Sequence, residues 1–296
     1  MPDLRRISAR HYYDYLPVSA HACGDIWTHL ATMGLLGSSA LSGIVITPAC
    51  DLGKNKTETV TYLPVLPIRA YFSSNGVLPM VRTRTQNLLK SLRFAPRLDW
   101  GSGEFRCPMP LDIEYAIGEI DDYLAAKQRG EAEAGALIRV QVGLNILAAI
   151  GHPDLTEIET SRLANFFGSE WDPILRKIIT NAFSSDLHFL PADGQNPAFS
   201  GVPRHSVVLF RYPITVPIEV LDLARDANQA NWSEVVSRNL ETTRALHNYR
   251  SELPVKCLSL RPDFLSDLLS RYVSMYNRIG SPDFTLSSIT RIVREV

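Results

Sequence analysis

In "SGIVITPACDLGKNKTETVTYLP", residues 42–64, a cysteine followed by an aspartate, Cys50-Asp51, sits where a β-branched apolar run ends and a polar loop begins. Nucleophilic chemistry at Cys50 would need a lowered thiol pKa, a general base and a pocket for the developing oxyanion. Lys54 and Lys56 could supply positive charge, and His21, His188 or His205 a base, since all three lie in strand-like sections. This is the pattern of a Cys-dependent hydrolase or transferase, with Cys50 served by a histidine such as His21 or His205. Against it, Asp51 would raise the thiol pKa, and no glycine-rich nucleophile elbow surrounds the cysteine. The plainer expectation is that Cys50 packs as a small apolar group while Asp51 accepts backbone N–H bonds in a turn.

The same residues could hold a metal. His21 and Cys23 share one face of a strand, and with Cys50 and Asp51 they could surround Zn²⁺ at ~2.0–2.3 Å, with Cys107 of "FRCPMP" completing the set. Structural zinc sites bring their ligands in closely spaced pairs, which this chain lacks, so no metal and no cofactor are expected. Glu119, Asp121 and Asp122 lie in "IGEIDDYL", where Ile117, Ile120 and Leu124 define the buried face and leave Asp121 and Asp122 to solvent. No H-E-x-x-H, phosphate-binding P-loop or G-x-G-x-x-G occurs, and "GSGEF", 101–105, lacks a strand–loop–helix setting.

A block of cations is the clearest binding signal. Between Glu58 and Asp99 there is no acid, while Arg69, Arg82, Arg84, Lys90, Arg93 and Arg97 all fall there. With "VLPMVRTRTQNLLKSLRF" helical, Arg82, Gln86, Lys90, Arg93 and Arg97 form a stripe, Leu88, Leu89 and Leu92 face inward, and Pro96 ends the helix. The stripe suits an acidic protein surface or, with steep salt dependence, nucleic-acid phosphates. The ordinary alternative is a solvated face neutralised elsewhere in the fold.

The elements that position these residues change texture along the chain. "GDIWTHL", "SGIVITPAC" and "TETVTYLPVLPI" are strand-like, with "DLGKNKTE" a hairpin connection in which Gly53 and Asn55 can take positive φ. From about 78 to 184 the period is 3.6: Ile113, Ile117, Ile120 and Leu124 share a face, as do Leu137, Val140, Leu144 and Leu147, and Trp171, Ile174, Leu175 and Ile178. "TEIE", 156–159, reads as a capping box. Strand texture returns in "DLHFLPADG", "RHSVVLFRYPITVP" and "ELPVKCLSL", with helices at "IEVLDLARDA", at "NWSEVVSRNLETTRALHNYR" from an Asn231 cap, and from Pro262 to Gly280 through Phe264, Leu268, Tyr272 and Ile279, before a short "SSITRIVRE".

An α+β fold follows. About six strands from residues 1–76 and 185–296 pair into a small antiparallel barrel or sandwich, and 77–184 is an all-α insertion, since closing a longer connection costs only logarithmically more. Two successive domains would leave three early strands, a thin sheet to bury a face alone.

"GDIW…SGIVITPACDL…KTETVTYLPV", with "HSVVLFRYP" and "LSRYVSMYNRIGSPDF", resembles a group of uncharacterised bacterial proteins that share an S/T-x-x-C-D-L/I strand end and a terminal helix ending in R-x-G. The resemblance covers about a quarter of the chain and omits the helical middle. It implies an SH3-like barrel and a bacterial cytosolic protein of a variable, defence-type gene neighbourhood, and it carries no activity.

The 296 residues have 30 Lys+Arg and 31 Asp+Glu, so the net charge of −1 exerts no general pull on nucleic acid or anionic lipid. The N-terminus lacks the apolar core of a signal peptide, neither "LATMGLLGSSALSGIVITPA" nor "GALIRVQVGLNILAAIG" reads as a membrane span, and Cys23, Cys50, Cys107 and Cys257 form no C-x-x-C pair. A cytoplasmic, non-enzymatic binding or adaptor protein acting through protein–protein contacts is therefore expected. Nucleic-acid contact through the 82–97 stripe is the other binding alternative.

Overall fold

The computed structural model describes residues 9–15, 19–53, 56–126, 131–196 and 199–276. Its strands are β1 (Tyr13–Asp14), β2 (Asp25–Leu30), β3 (Leu41–Val45), β4 (Thr59–Pro67), β5 (Leu187–Leu190), β6 (Ser206–Leu209), β7 (Ile214–Pro217) and β8 (Val255–Leu260). They form one antiparallel sheet in the order β1-β8-β2-β3-β4-β6-β5, with β7 also on β4. Early and late segments interleave: Ile26 faces Leu258, and Val60 faces Val216. The nine-residue β4 holds two short strands end to end on one edge, Val65 opposite Val208 and Tyr62 opposite Ile214, so the partner chain loops out three extra residues between β6 and β7.

The expected small barrel is not formed: the sheet stays open, ending at β1 and β5. Helices cover both faces, so the sheet has no need to curl upon itself to bury apolar side chains. Its edges are short, and the Phe189 N–H of β5 donates to Asn181 Oδ1 at 2.6 Å, which blunts that end.

Strict alternation sorts the strand residues. Tyr13, Ile26, Ile44, Leu63, Val65, Val208 and Leu258 point to one face, where Leu268 of α11 (Pro262–Tyr276) packs. Trp27, Val45, Val60, Tyr62, Ile214 and Val216 point to the other, beneath α9 (Glu219–Asp226) and α10 (Trp232–Asn239). Further along that second face, Leu66, Val207, Leu209, Leu187 and Phe189 meet the helical block.

The block comprises α4 (Leu78–Leu92), α5 (Pro110–Ala126), α6 (Glu131–Ile150), α7 (Thr160–Phe167) and α8 (Trp171–Ile179); three short helices, α1 (Ala9–Tyr12), α2 (Ala49–Leu52) and α3 (Ile68–Tyr71), complete the described set. Within α6, residues 133–150 are long and apolar enough to cross a membrane by length and composition. In the fold Leu137, Val140, Leu144 and Leu147 of that helix are fully buried against its neighbours.

Several local expectations are corrected. Thr156–Glu159 is not a capping box: the Ile158 N–H bonds Arg69 O, Glu157 pairs with Arg69 and Arg204, and α7 starts only at Thr160. Gly53 keeps a right-handed φ of −70°. "NWSEVVSRNLETTRALHNYR" breaks after α10 and resumes as a 3₁₀ turn at 244–249. Asn55, Ile279, Gly280 and "SSITRIVRE" lie outside the described residues.

Candidate functional site

Cys50 stands on the one-turn helix α2 rather than at the end of β3. Its side chain is exposed, and its thiol donates to Asp51 Oδ1 at 3.5 Å. The turn is closed by backbone bonds, Asp51 N–H to Pro48 O and Lys56 N–H to Asp51 O. Two of the three histidines are engaged elsewhere, His21 Nε2 lying 3.0 Å from Asp222 Oδ1 and His205 Nδ1 accepting the Ala192 N–H at 3.1 Å, and His188 is buried 3.9 Å from Asp267.

The proposed metal ligands are likewise dispersed. Among the described residues no group of three or more His, Cys, Asp or Glu side chains could hold a metal ion. Burial, followed by the nearby Asp25, pushes the Cys23 thiol up to about 11, the opposite of what ligation needs. Asp25 itself is fully buried and satisfied by Lys256 Nζ at 2.6 Å, Ser259 Oγ at 2.6 Å and the Ala22 N–H at 2.7 Å.

The basic stripe is not one surface. Arg82 is buried and donates to Arg106 O at 2.6 Å and Gly101 O at 2.9 Å, its guanidinium over the Trp100 ring. Arg84 donates to Phe166 O at 2.9 Å and Phe167 O at 2.8 Å and pairs with Glu170. Two of the five cations are therefore occupied within the fold, Arg82 tying α4 to the connection that follows it and Arg84 tying α4 to the end of α7. Arg93 ends α4 in the left-handed region at φ 53°, so the helical spacing stops before Arg97. Lys90, Arg93 and Arg97 remain exposed.

Two features escape a reading of single residues. The first is the outer face of α5. Ile113, Ala116 and Ile120 are buried, while on the opposite side Leu111 is 58% and Tyr115 63% exposed, four residues apart and hence adjacent on the surface. Around them stand the exposed Glu114, Asp121 and Asp122, and α5 carries no Lys or Arg. Met109, just before the helix, is 67% exposed. An apolar residue out of phase with the isoleucine stripe was the available signal.

The second is a cavity of about 730 Å³ where the 31–38 loop, the 73–75 turn, the α6–α7 connection, Cys107 and Asn248 meet. Loops far apart in sequence build it, which no local pattern reveals. It holds a thiol and an imidazole, Cys107 and His152, yet they are not an activated pair. Burial raises the Cys107 thiol despite Arg82, and Sγ–H donates to Leu147 O at 3.2 Å. His152 Nδ1 accepts the Asp154 backbone N–H at 3.0 Å, and the Asp154 carboxylate accepts from Ser38, so no acid orients the ring as a base.

Compared with known proteins, the chain matches no family model, no curated protein and no solved structure.

Proposed function

We propose that the chain is a non-enzymatic binding protein that docks a partner protein on the outer face of α5, working in the bacterial cytosol and in the defence-type setting that the resemblance implies. The observation that carries the reading is Leu111 and Tyr115, two large apolar side chains turned to solvent on a helix whose other face already fills the core. Exposing both costs hydrophobic free energy of about 1.5–3 kcal/mol each relative to burial, which a partner would recover. The acids around them define that partner: a segment with apolar side chains to cover Leu111 and Tyr115 and Lys or Arg to meet Glu114, Asp121 and Asp122. The contact surface thus differs in sign from the cationic stripe, whose Arg82 and Arg84 are occupied within the fold.

Affinity capture with matched variants tests this. The wild-type chain should retain a protein partner at low salt, Leu111→Glu with Tyr115→Glu should release it, and Glu114→Lys with Asp122→Lys should weaken it as raised salt does. Exposed positions leave the fold within about 0.5 kcal/mol, checked by thermal melting. Retention of the same partner by both double variants, or no partner at all, would overturn the reading.

A further inference from the structure

The cavity between the loops is independent of the α5 face, and we propose that it binds an uncharged, nucleoside-sized ligand through the planar edge of its base. A volume of about 730 Å³ lies in the range of small-ligand sites. Most polar groups on its walls already have partners: Ser73 Oγ donates to Ala70 O and Thr156 O, Ser74 Oγ to Tyr71 O, and Thr32 Oγ1 to Gly37 O. Asn75, Asn248 and His152 keep hydrogen-bonding capacity toward the space. His152 Nδ1 is taken up by the Asp154 backbone, 3.0 Å from its N–H and 3.2 Å from its carbonyl, which leaves Nε2 as the ring nitrogen for a ligand.

Asn75 offers one acceptor and a paired donor, and Asn248, whose Nδ2 also donates to Ala245 O at 3.4 Å, keeps its acceptor and a second N–H, the complement of the lactam or amidine edge of a nucleobase. Met33, Leu35 and Leu155 supply apolar walls for the flat ring.

Charge selects against a phosphorylated form. Among the described residues no Lys or Arg lines the cavity. An anion there would find no Lys or Arg among these lining residues to offset the loss of its hydration.

The backbone supplies a second, separate observation. The 31–38 loop holds three left-handed residues, Met33 at φ 52°, Gly34 at 77° and Gly37 at 89°, and Met33 is not a glycine. Such backbone is costly and gathers at ligand clamps. A Cβ on Gly37 would lie 2.4 Å from Pro153 O, so the loop is pressed against the opposite wall.

Titration calorimetry of the full chain with adenosine, guanosine, cytidine and uridine, and with their 5′-monophosphates, tests the assignment. At least one nucleoside should bind more tightly than its own monophosphate, and Asn75→Leu and Asn248→Leu should each weaken it about tenfold while melting as the wild type does. Leu35→Trp, which fills the space without touching the asparagines, should abolish binding. No binding of any nucleoside up to millimolar concentration would overturn the proposal, as would tighter binding of the monophosphate or unchanged affinity in the asparagine variants. Loss of partner capture by the α5 variants leaves this result unaffected, so the two readings fail separately.

Discussion

Arg84 donates to the carbonyls of Phe166 and Phe167, the last residues of α7, and so supplies partners that a helix C-terminus lacks within itself. Its guanidinium also lies over both phenylalanine rings. Arg84→Ala should cost about 2–3 kcal/mol in chemical denaturation, whereas the exposed Lys90→Ala should change stability by less than about 0.5 kcal/mol. His188 makes a pH prediction. It is buried beneath α11 with Val208 opposite it in the sheet, its Nδ1 unpartnered, and Asp267 and Arg271 acting on it from the helix. Burial first, then Arg271, lowers its pKa to about 4, with Asp267 opposing. The unfolded chain takes up a proton below about 6.5, so the stability is complete above that pH and is lost as pH falls toward 4, by up to ~3 kcal/mol. Between pH 7 and 4, His188→Leu should lose correspondingly less melting temperature than the wild type; equal losses would remove His188 as the cause. Cys50→Ala should leave fold and partner retention intact, because the exposed thiol contacts only its neighbouring acid. Loss of cellular activity in a folded Cys50→Ala protein would favour a Cys-dependent enzyme.

At the scale of elements, the clamp of the 31–38 loop on the α6–α7 connection depends on Gly37. Gly37→Ala would put a methyl against Pro153 O in a φ of 89°, and should destabilise by more than about 1 kcal/mol and speed amide exchange in both loops. What was legible in the sequence follows a physical divide. Strands β2, β4, β5 and β8 and helices α4–α8 lie within their expected stretches, and β3 overlaps its own, because alternation and the 3.6 period are local consequences of which face is buried. The Thr156–Glu159 pattern failed because other partners claimed it: Ser73 Oγ takes the Thr156 N–H that Glu159 would have to reach, and Glu159 lies by Arg162 instead. Arg82 and Arg84 looked available for the same reason in reverse, since their partners are carbonyls 19 to 83 residues away. Cys107 is visible in the sequence as a thiol, but His152 and the asparagines line the same cavity only through loop packing.

For the whole molecule, β8 lies between β1 and β2, so a strand near the chain's end is interior to a sheet begun by its first residues. A chain ended at residue 253 would strip β2 of one neighbour and uncover the face that Leu268 seals. It should lose the cooperative thermal transition entirely, not merely shed a tail; a retained sharp transition would contradict the single-sheet account. The same architecture leaves α5 on the outside of the helical block with Leu111 and Tyr115 facing solvent. Placing a photo-crosslinking phenylalanine analogue at position 115, and in a separate chain at the comparably exposed Ile179, compares the two surfaces directly in cells. The α5 docking account predicts a discrete covalent adduct with a protein at 115 and none at 179. Adducts equal at both positions, or absent at 115, would contradict it.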